Sequence, residues 1–409
     1  MAGESSLKIQ SFEARMAGRL TLASSAGMFI FGIVMAILGA ILPELFRGLK
    51  LEKVQAGNLF FFMNLGMLAS TLIFGPVVDR FGFKFVLVLS SLLVGISFAW
   101  LALAQNYSVV LAAVVFLGLA GGALNGGSNA LVNDLNPEKR AAALNFLGIF
   151  FGFGALFIPL VIGSFLSQTG LKTLILIPAV LSVVPFLLFL ALKFPEAKQE
   201  QGFPFKDLKK VVGHSLLWLG AFTLFFQSGN EFSVGGWLSS FFQEKFNFGA
   251  SRAALVLSGY WAFLMLGRFL VSRLPLKIKR ENLIMLSAGL SAVAVAGLIF
   301  WPSSAVAVFL ALLIGLGFAA IYPTTLAIIG EAFSELSGTA FSVAISTGLL
   351  GGMLCPWLIG RISQVRSVKT GLLVPLVNLV LIMVLQLLIG KKLKAESRQV
   401  NQGKQFGFK

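Results

Sequence analysis

The sequence predicts an all-α integral membrane protein with twelve transmembrane helices in two pseudo-symmetric halves of six. Apolar residues fill 57% of its 409 positions and charged residues only 12%, about half the ~25% that is usual in soluble domains. Twelve apolar runs are long enough to cross a bilayer, which takes about 20 residues. The sequences on either side of a central polar segment also repeat each other.

The twelve apolar runs follow one another closely along the chain. The first run follows Lys8, Arg15 and Arg19 and has no small-residue cleavage site at its end. This pattern indicates a retained first helix and not a removed signal peptide. The fourth, fifth, tenth and eleventh runs are rich in Gly, Ser and Thr, which allow helices to pack closely. The predicted spans are residues 21–46, 56–78, 84–104, 108–133, 140–165, 171–193, 214–241, 251–274, 281–300, 304–330, 335–362 and 369–390.

The positive charges predict the orientation of the chain. If the amino terminus is cytoplasmic, the cytoplasmic loops and tails hold 23 of the 32 Lys and Arg residues and the opposite side holds nine. Cytoplasmic loops of membrane proteins are enriched in Lys and Arg. We therefore expect a multi-pass protein with both termini in the cytoplasm. The compact loops favour the cytoplasmic (inner) membrane of a prokaryote.

An internal repeat and a polar linker predict the domain organisation. Residues 1–193 form the predicted amino-terminal bundle, 194–212 a cytoplasmic linker, 213–390 the carboxyl-terminal bundle and 391–409 a cytoplasmic tail. A shift of 197 residues aligns two successive helices of the halves, which indicates duplication and parallel halves. The aligned pairs are Gly118 with Gly315, Asp134 with Glu331, Pro159 with Pro356, and Gly163 with Gly360.

The composition also argues against several classes of function. The chain has one Cys and one His, so it offers neither an intramolecular disulfide nor a histidine cluster for a metal. It lacks the common motifs of hydrolases and nucleotide-binding enzymes. We expect no enzyme activity, no cofactor and no metal site. The net charge of +16 could suggest nucleic acid, but the positive-inside bias of a membrane protein explains it better, and we expect no nucleic-acid partner.

A short motif joins the second and third predicted helices. Residues 75–84, GPVVDRFGFK, place Gly75, Asp79, Arg80 and Lys84 in a spacing that resembles the loop motif of the major facilitator superfamily. The resemblance implies a twelve-helix transporter that works by alternating access. It also implies that this cluster latches the cytoplasmic side while the outside is open.

Other charges near the cytoplasmic ends of the helices are candidates for the same gate. They occupy the turn after the fourth helix and the corresponding places in the second half of the chain. The alternative is that they are solvated loop charges. The candidates are Asp134, Arg140, Arg268 and Glu331.

Four segments resemble the fucose–proton symporter family and its sodium-linked glucose-transporter relatives. This resemblance implies cation-driven uptake of a sugar. By alignment, however, Gly39 and Asn125 stand where the symporter has acidic residues, so proton coupling through those two carboxylates is not available. The four segments are GALNGGSNAL at 122–131, NEFSVGGWLSSFF at 230–242, GRFLVSR at 267–273 and YPTTLAIIGEAF at 322–333.

Polar residues within the apolar spans are candidates for solute and ion binding, because such residues are costly in a membrane. Glu231 lies in the middle of the seventh span, where it must find a cation, a donor or a proton. It is therefore the candidate for coupling to H⁺ or Na⁺, and bonding to a neighbouring helix without a transport role is the alternative. The candidate solute-binding residues are Asn64, Asn125, Asn129, Gln227, Asn230, Trp237, Trp261 and Tyr322, for which packing is the alternative.

These patterns predict a monomeric secondary active transporter that takes up a sugar or a similar small polar solute with a cation. A proton-coupled exporter of drug-like or lipid-like molecules is the alternative transport function. A membrane sensor is the alternative outside transport, and it would need a larger signalling tail than the nineteen residues after position 390.

Overall fold

The computed structural model describes residues 2–137, 139–195, 211–273 and 278–406, and the regular elements in those ranges are all helices. A short 3₁₀ helix covers Ser334–Leu336. The α-helices in the described ranges are α1 (Ala2–Leu49), α2 (Lys53–Ala102), α3 (Tyr107–Leu135), α4 (Arg140–Thr169), α5 (Leu171–Leu181), α6 (Val183–Ala191), α7 (Ser215–Phe246), α8 (Ala250–Arg273), α9 (Arg280–Phe300), α10 (Ser304–Phe318), α11 (Ile321–Ala332), α12 (Ser337–Val365), α13 (Val368–Gly371) and α14 (Leu373–Phe406).

These helices confirm the predicted fold class. Eleven helical stretches in the described residues are long and apolar enough to cross a membrane. The helix α7 has 32 residues and supplies the twelfth span, although the polar residues at its centre lower its mean hydropathy. The long helix α2 supplies two spans, whereas α5 with α6, α10 with α11, and α13 with α14 each form one.

Some predicted boundaries differ from the structure. The junction predicted between the spans 56–78 and 84–104 is a kink within α2, where Gly82 leaves helical geometry with φ 77° and ψ 164°. Glycine reaches positive φ without the steric cost that a Cβ imposes, so a single residue makes the bend. The first predicted span, 21–46, is shorter than α1 because helices continue past the apolar segment that hydropathy detects.

The chain forms two compact units. Unit 1 comprises residues 1–202 together with Gly235–Trp261, and unit 2 comprises Phe203–Val234 together with Ala262–Lys409. The end of α7 and the beginning of α8 therefore belong to unit 1. The predicted linker at 194–212 lies mostly in residues 196–210, outside the described part of the chain. The division into bundles at 1–193 and 213–390 stays a prediction.

Small residues set the close helix contacts inside unit 1. A Cβ on Gly154 of α4 would overlap the carbonyl oxygen of Phe29 in α1. A Cβ on Gly122 of α3 would overlap the hydroxyl of Ser70 in α2. Without those Cβ atoms the helix backbones approach closely, as is common for helix pairs in membranes.

Unit 2 contains the matching contacts at nearly the same offset of 197 residues. Gly351 of α12 lies against the carbonyl oxygen of Phe225 in α7, as Gly154 lies against that of Phe29. Gly267 of α8 lies against Ala319, which matches the contact of Ser70 with Gly122 but with the glycine on the other helix. The repeat in the sequence thus corresponds to a repeat in helix packing.

Candidate functional site

Two polar side chains of unit 2 lie one helical turn apart in the middle of α7. Gln227 is fully buried, and its Nε2 donates to Oε1 of Glu231 at 3.0 Å and to the carbonyl oxygen of Phe318 at 3.4 Å. The other amide atom, Gln227 Oε1, is buried and accepts no hydrogen bond from the described residues. Because residues i and i+4 share a helix face, the chain places this amide beside the carboxylate.

The second helix of this site contributes a cation. Arg268, five residues before the end of α8, places Nη2 3.4 Å from Oε2 of Glu231. The Glu231 side chain is 14% exposed and that of Arg268 is 33% exposed. Charges within membrane spans are costly and usually pair with each other. Glu231 therefore meets the requirement that the sequence predicted, with one amide donor and one guanidinium donor.

Tyr322 of α11 is another predicted site residue of unit 2. Its partly buried ring packs against an apolar cluster that includes Leu217 and Ile329. The helices α7 and α8 thus bring together an amide, a carboxylate and a guanidinium. Such a group can bind a cation, an anion or a molecule with several hydroxyl groups.

A different set of amides connects α7 to the last span. Asn230 Oδ1 accepts a hydrogen bond of 3.0 Å from Nδ2 of Asn378, which also lies 3.4 Å from Sγ of Cys355. Gln386 Nε2 donates to Oγ1 of Thr223 at 3.1 Å. Asn378 and Gln386 were not among the predicted residues, although buried amides in an apolar span are themselves a signal of interhelical bonding.

The predicted asparagines of the first half lie in unit 1. Asn129 Nδ2 donates to Oδ1 of Asn125 at 2.9 Å and lies 3.8 Å from Sδ of Met28. Both asparagines are partly buried, and their shared helix face matches the prediction. Asn64 is fully buried, and its Nδ2 donates to the carbonyl oxygen of Phe60, within its own helix.

The two predicted tryptophans are buried in unit 1. Trp237 packs between Phe46 and Phe60, with ring centroids 6.4 and 6.1 Å away. Trp261 packs against Tyr260 at 5.3 Å, and its Nε1 is buried without a hydrogen-bond partner in the described part of the chain. The binding role predicted for both rings stays a prediction.

The predicted gate residues lie at helix ends and bends. Gly75 belongs to the backbone of α2, where Asp79 is partly buried and Arg80 and Lys84 are exposed. The Arg80 guanidinium lies 5.3 Å from the ring centroid of Phe81, and Lys84 Nζ donates to the carbonyl oxygen of Leu192 at 3.1 Å.

The other gate candidates divide between two environments. Asp134 is the penultimate residue of α3, and Arg140 is the first residue of α4. Glu331 forms an ion pair with Arg280 near the start of α9. Arg268 differs from the rest because its contact is with the intramembrane Glu231.

Comparisons with known proteins agree with this architecture. A Helicobacter pylori (strain J99) protein named "Putative glucose/galactose transporter" is 26% identical over 365 residues, which cover 84% of this chain and 88% of that protein. The crystal structure of a bacterial homolog of the human lysosomal transporter Spinster matches with a TM-score of 0.75 and 14% identity, over 93% of this chain and 97% of that one. That of a D-xylose–proton symporter matches with a TM-score of 0.72 and 17% identity, over 91% and 96%.

A family model provides the assignment. The model of the Major Facilitator Superfamily matches residues 25–356, which include most of both repeats. Members of this family move small-molecule solutes across membranes and are not enzymes. The chain is therefore a multi-pass membrane transporter and belongs to the Major Facilitator Superfamily.

Proposed function

We propose that this protein is a secondary active transporter that takes up a sugar or a similar small polar solute together with H⁺ or Na⁺. The observation that carries this proposal is the carboxylate of Glu231 in the middle of α7, with Gln227 and Arg268 as donors. The likeness to the Helicobacter pylori protein supports the choice of a sugar.

Coupling would proceed through the ion pair of Glu231 and Arg268. A proton or Na⁺ that binds Glu231 cancels the negative charge that attracts the guanidinium. The pair then loosens, and its two arrangements provide the two states that alternating access requires. Solute contacts with Gln227 and Tyr322 depend on which of these states is present, which links solute binding to the cation.

The remaining candidates fit this proposal in different roles. Asn64, Asn125, Asn129 and Asn230 offer amides that can donate to and accept from hydroxyl groups. Gly75, Asp79, Arg80 and Lys84, with Asp134, Arg140 and Glu331, are proposed to hold the cytoplasmic gate. We place the monomeric transporter in the cytoplasmic membrane with both termini in the cytoplasm.

Uptake into proteoliposomes tests the proposal. Radiolabelled glucose, galactose and xylose are offered with an imposed Na⁺ gradient, with an imposed proton gradient, or with neither. We expect one gradient to drive accumulation of at least one sugar, and Glu231→Gln to abolish accumulation while leaving solute exchange. Arg361→Gln, a charge change on α12 away from the pair, is the control and should accumulate like the unaltered protein.

Two results would contradict the proposal. Equal accumulation by Glu231→Gln would show that this carboxylate does not couple the cation. Absence of sugar transport together with efflux of lipophilic cations would favour the exporter alternative.

A further inference from the structure

The guanidinium of Arg268 retains hydrogen-bonding capacity after its contact with Glu231. Guanidinium has five N–H donors in a fork that matches a carboxylate, whereas the contact uses one nitrogen at 3.4 Å. Bonds between ionised nitrogen and oxygen are normally about 2.7–2.9 Å. Arg268 Nε is buried and has no acceptor among the described residues. The resident carboxylate therefore does not saturate this cation.

Gln227 retains an unused hydrogen-bond acceptor, whereas Arg268 retains unused donors. Its Nε2 is used by Glu231 and Phe318, but Oε1 lies buried without a donor from the described residues. A buried acceptor that stays unpaired costs free energy comparable to a lost hydrogen bond. A ligand that fits this site must therefore bring a donor to Gln227 as well as an acceptor to Arg268.

Neither a neutral sugar nor a simple carboxylate supplies both a donor for Gln227 and a charged acceptor for Arg268. Hydroxyl groups can satisfy Gln227, but they accept from a guanidinium more weakly than a charged oxygen does. A simple carboxylate satisfies Arg268 but offers no donor. A molecule that carries a carboxylate and neighbouring hydroxyl groups satisfies both side chains at once.

We infer that unit 2 contains a subsite for the carboxylate of a polyhydroxy acid, formed by Arg268 and Gln227. When no solute is bound, Glu231 accepts one hydrogen bond from each of these side chains. The inference rests on the proposed function, which it narrows from sugars in general to sugar acids. Glu231 and the solute carboxylate then compete for Arg268. A cation bound at Glu231 removes the competitor and leaves the guanidinium to the solute.

Binding to the purified full-length protein in detergent tests the inference. Isothermal titration compares sodium D-glucuronate, D-glucose and sodium acetate at one pH and one total Na⁺ concentration. We expect glucuronate to bind about 10- to 100-fold more tightly than glucose, the range for one hydrogen bond to a charged group, and acetate to bind more weakly than glucuronate. Arg268→Gln should lower the ratio of glucuronate affinity to glucose affinity to about one.

Two further variants separate binding from folding. Arg361→Gln removes an arginine of the same unit that contacts the ring of Trp357, and it should retain the preference. Because Arg268→Gln leaves Glu231 without its cation, the double variant Arg268→Gln with Glu231→Gln provides a second test in which residue 231 carries no charge. It too should bind glucose and glucuronate with equal affinity.

The outcomes distinguish failure of the sugar-acid inference from failure of the proposed sugar transport. Equal binding of glucose and glucuronate by the unaltered protein, or a preference that survives in both Arg268 variants, overturns the sugar-acid inference and leaves sugar transport standing. Failure of both glucose and glucuronate to bind overturns the inference and removes the support for sugar transport with it.

Discussion

Gly351 of α12 lies directly against the backbone carbonyl oxygen of Phe225 in α7, so these two helices touch without an intervening side chain. The same relationship joins Gly154 and Phe29 in the other unit. In unit 2 this contact fixes the position of α7, the helix that carries Gln227 and Glu231. The repeated contact gives the first prediction.

Gly351→Ala is expected to lower stability by about 1–3 kcal/mol, because the new methyl group overpacks a backbone contact. Gly148→Ala is the matched control, since it lies in α4 and a Cβ there meets nothing within 4 Å. Alanine is the better helix former, so the control should equal or exceed the unaltered protein. Thermal unfolding in detergent measures both, and equal melting temperatures for the two variants would contradict the prediction.

Arg268→Gln is expected to destabilise the protein by about 1–3 kcal/mol, because it leaves the carboxylate of Glu231 without its cation. The partial exposure of both side chains keeps this cost below that of a fully buried pair. The double variant with Glu231→Gln should recover much of the loss. A double-mutant cycle measured by thermal unfolding gives the coupling free energy between Arg268 and Glu231. Additive losses of stability in the double variant would show that the two residues do not interact.

A second arginine–glutamate pair in the described part of unit 2 is the natural control for that cycle. Arg280 and Glu331 are 43% and 68% exposed, and exposed pairs contribute about 1 kcal/mol or less. Arg280→Gln should therefore change the melting temperature less than Arg268→Gln does. Salt should weaken the contribution of Arg280 and leave that of Arg268 nearly unchanged.

Asn378→Leu is expected to cost about 0.6–2 kcal/mol, since it removes the donor to the buried Asn230 in a membrane span. A second change, Asn230→Leu, should cost less in the Asn378→Leu background than alone, because no partner is left to lose. Unfolding of the three variants measures this coupling. A full additional loss in the double variant would argue that Asn230 bonds elsewhere.

Gly82→Ala is expected to lower stability by about 1–2 kcal/mol, because a Cβ is strained at the φ of 77° that bends α2. Thermal unfolding measures this loss beside the Gly148→Ala control. A stable Gly82→Ala variant would show that the bend is not required.

The apolar spans made the fold class predictable, because the bilayer demands long helices with little charge. Glu231 was predictable for the same reason, as a charge in such a run is exceptional. The role of Arg268 was not, because its sequence neighbours are the basic residues of a cytoplasmic loop and only helix packing brings its side chain to Glu231. Asn378 escaped notice because the long apolar run around it outweighs one amide in any average of hydropathy.

The bend in α2 was predictable from local composition. Residues 75–84 contain Gly, Pro and charges that favour a turn, and the bend at Gly82 lies between the predicted spans 56–78 and 84–104. Local composition indicates where a chain can bend but not how many residues the bend needs.

The polarity of α7 has a consequence for how the protein is made. In the described residues, eleven helical stretches are apolar enough to enter a bilayer on composition, and α7 is not among them. A charged side chain at the centre of a helix opposes its insertion from the translocon, so we expect α7 to depend on later helices for retention in the membrane. Arg268 lies in α8, the next helix to be synthesised. Biogenesis is thus tied to the same ion pair, and cells that express Arg268 variants should accumulate less protein even where the finished molecule is stable.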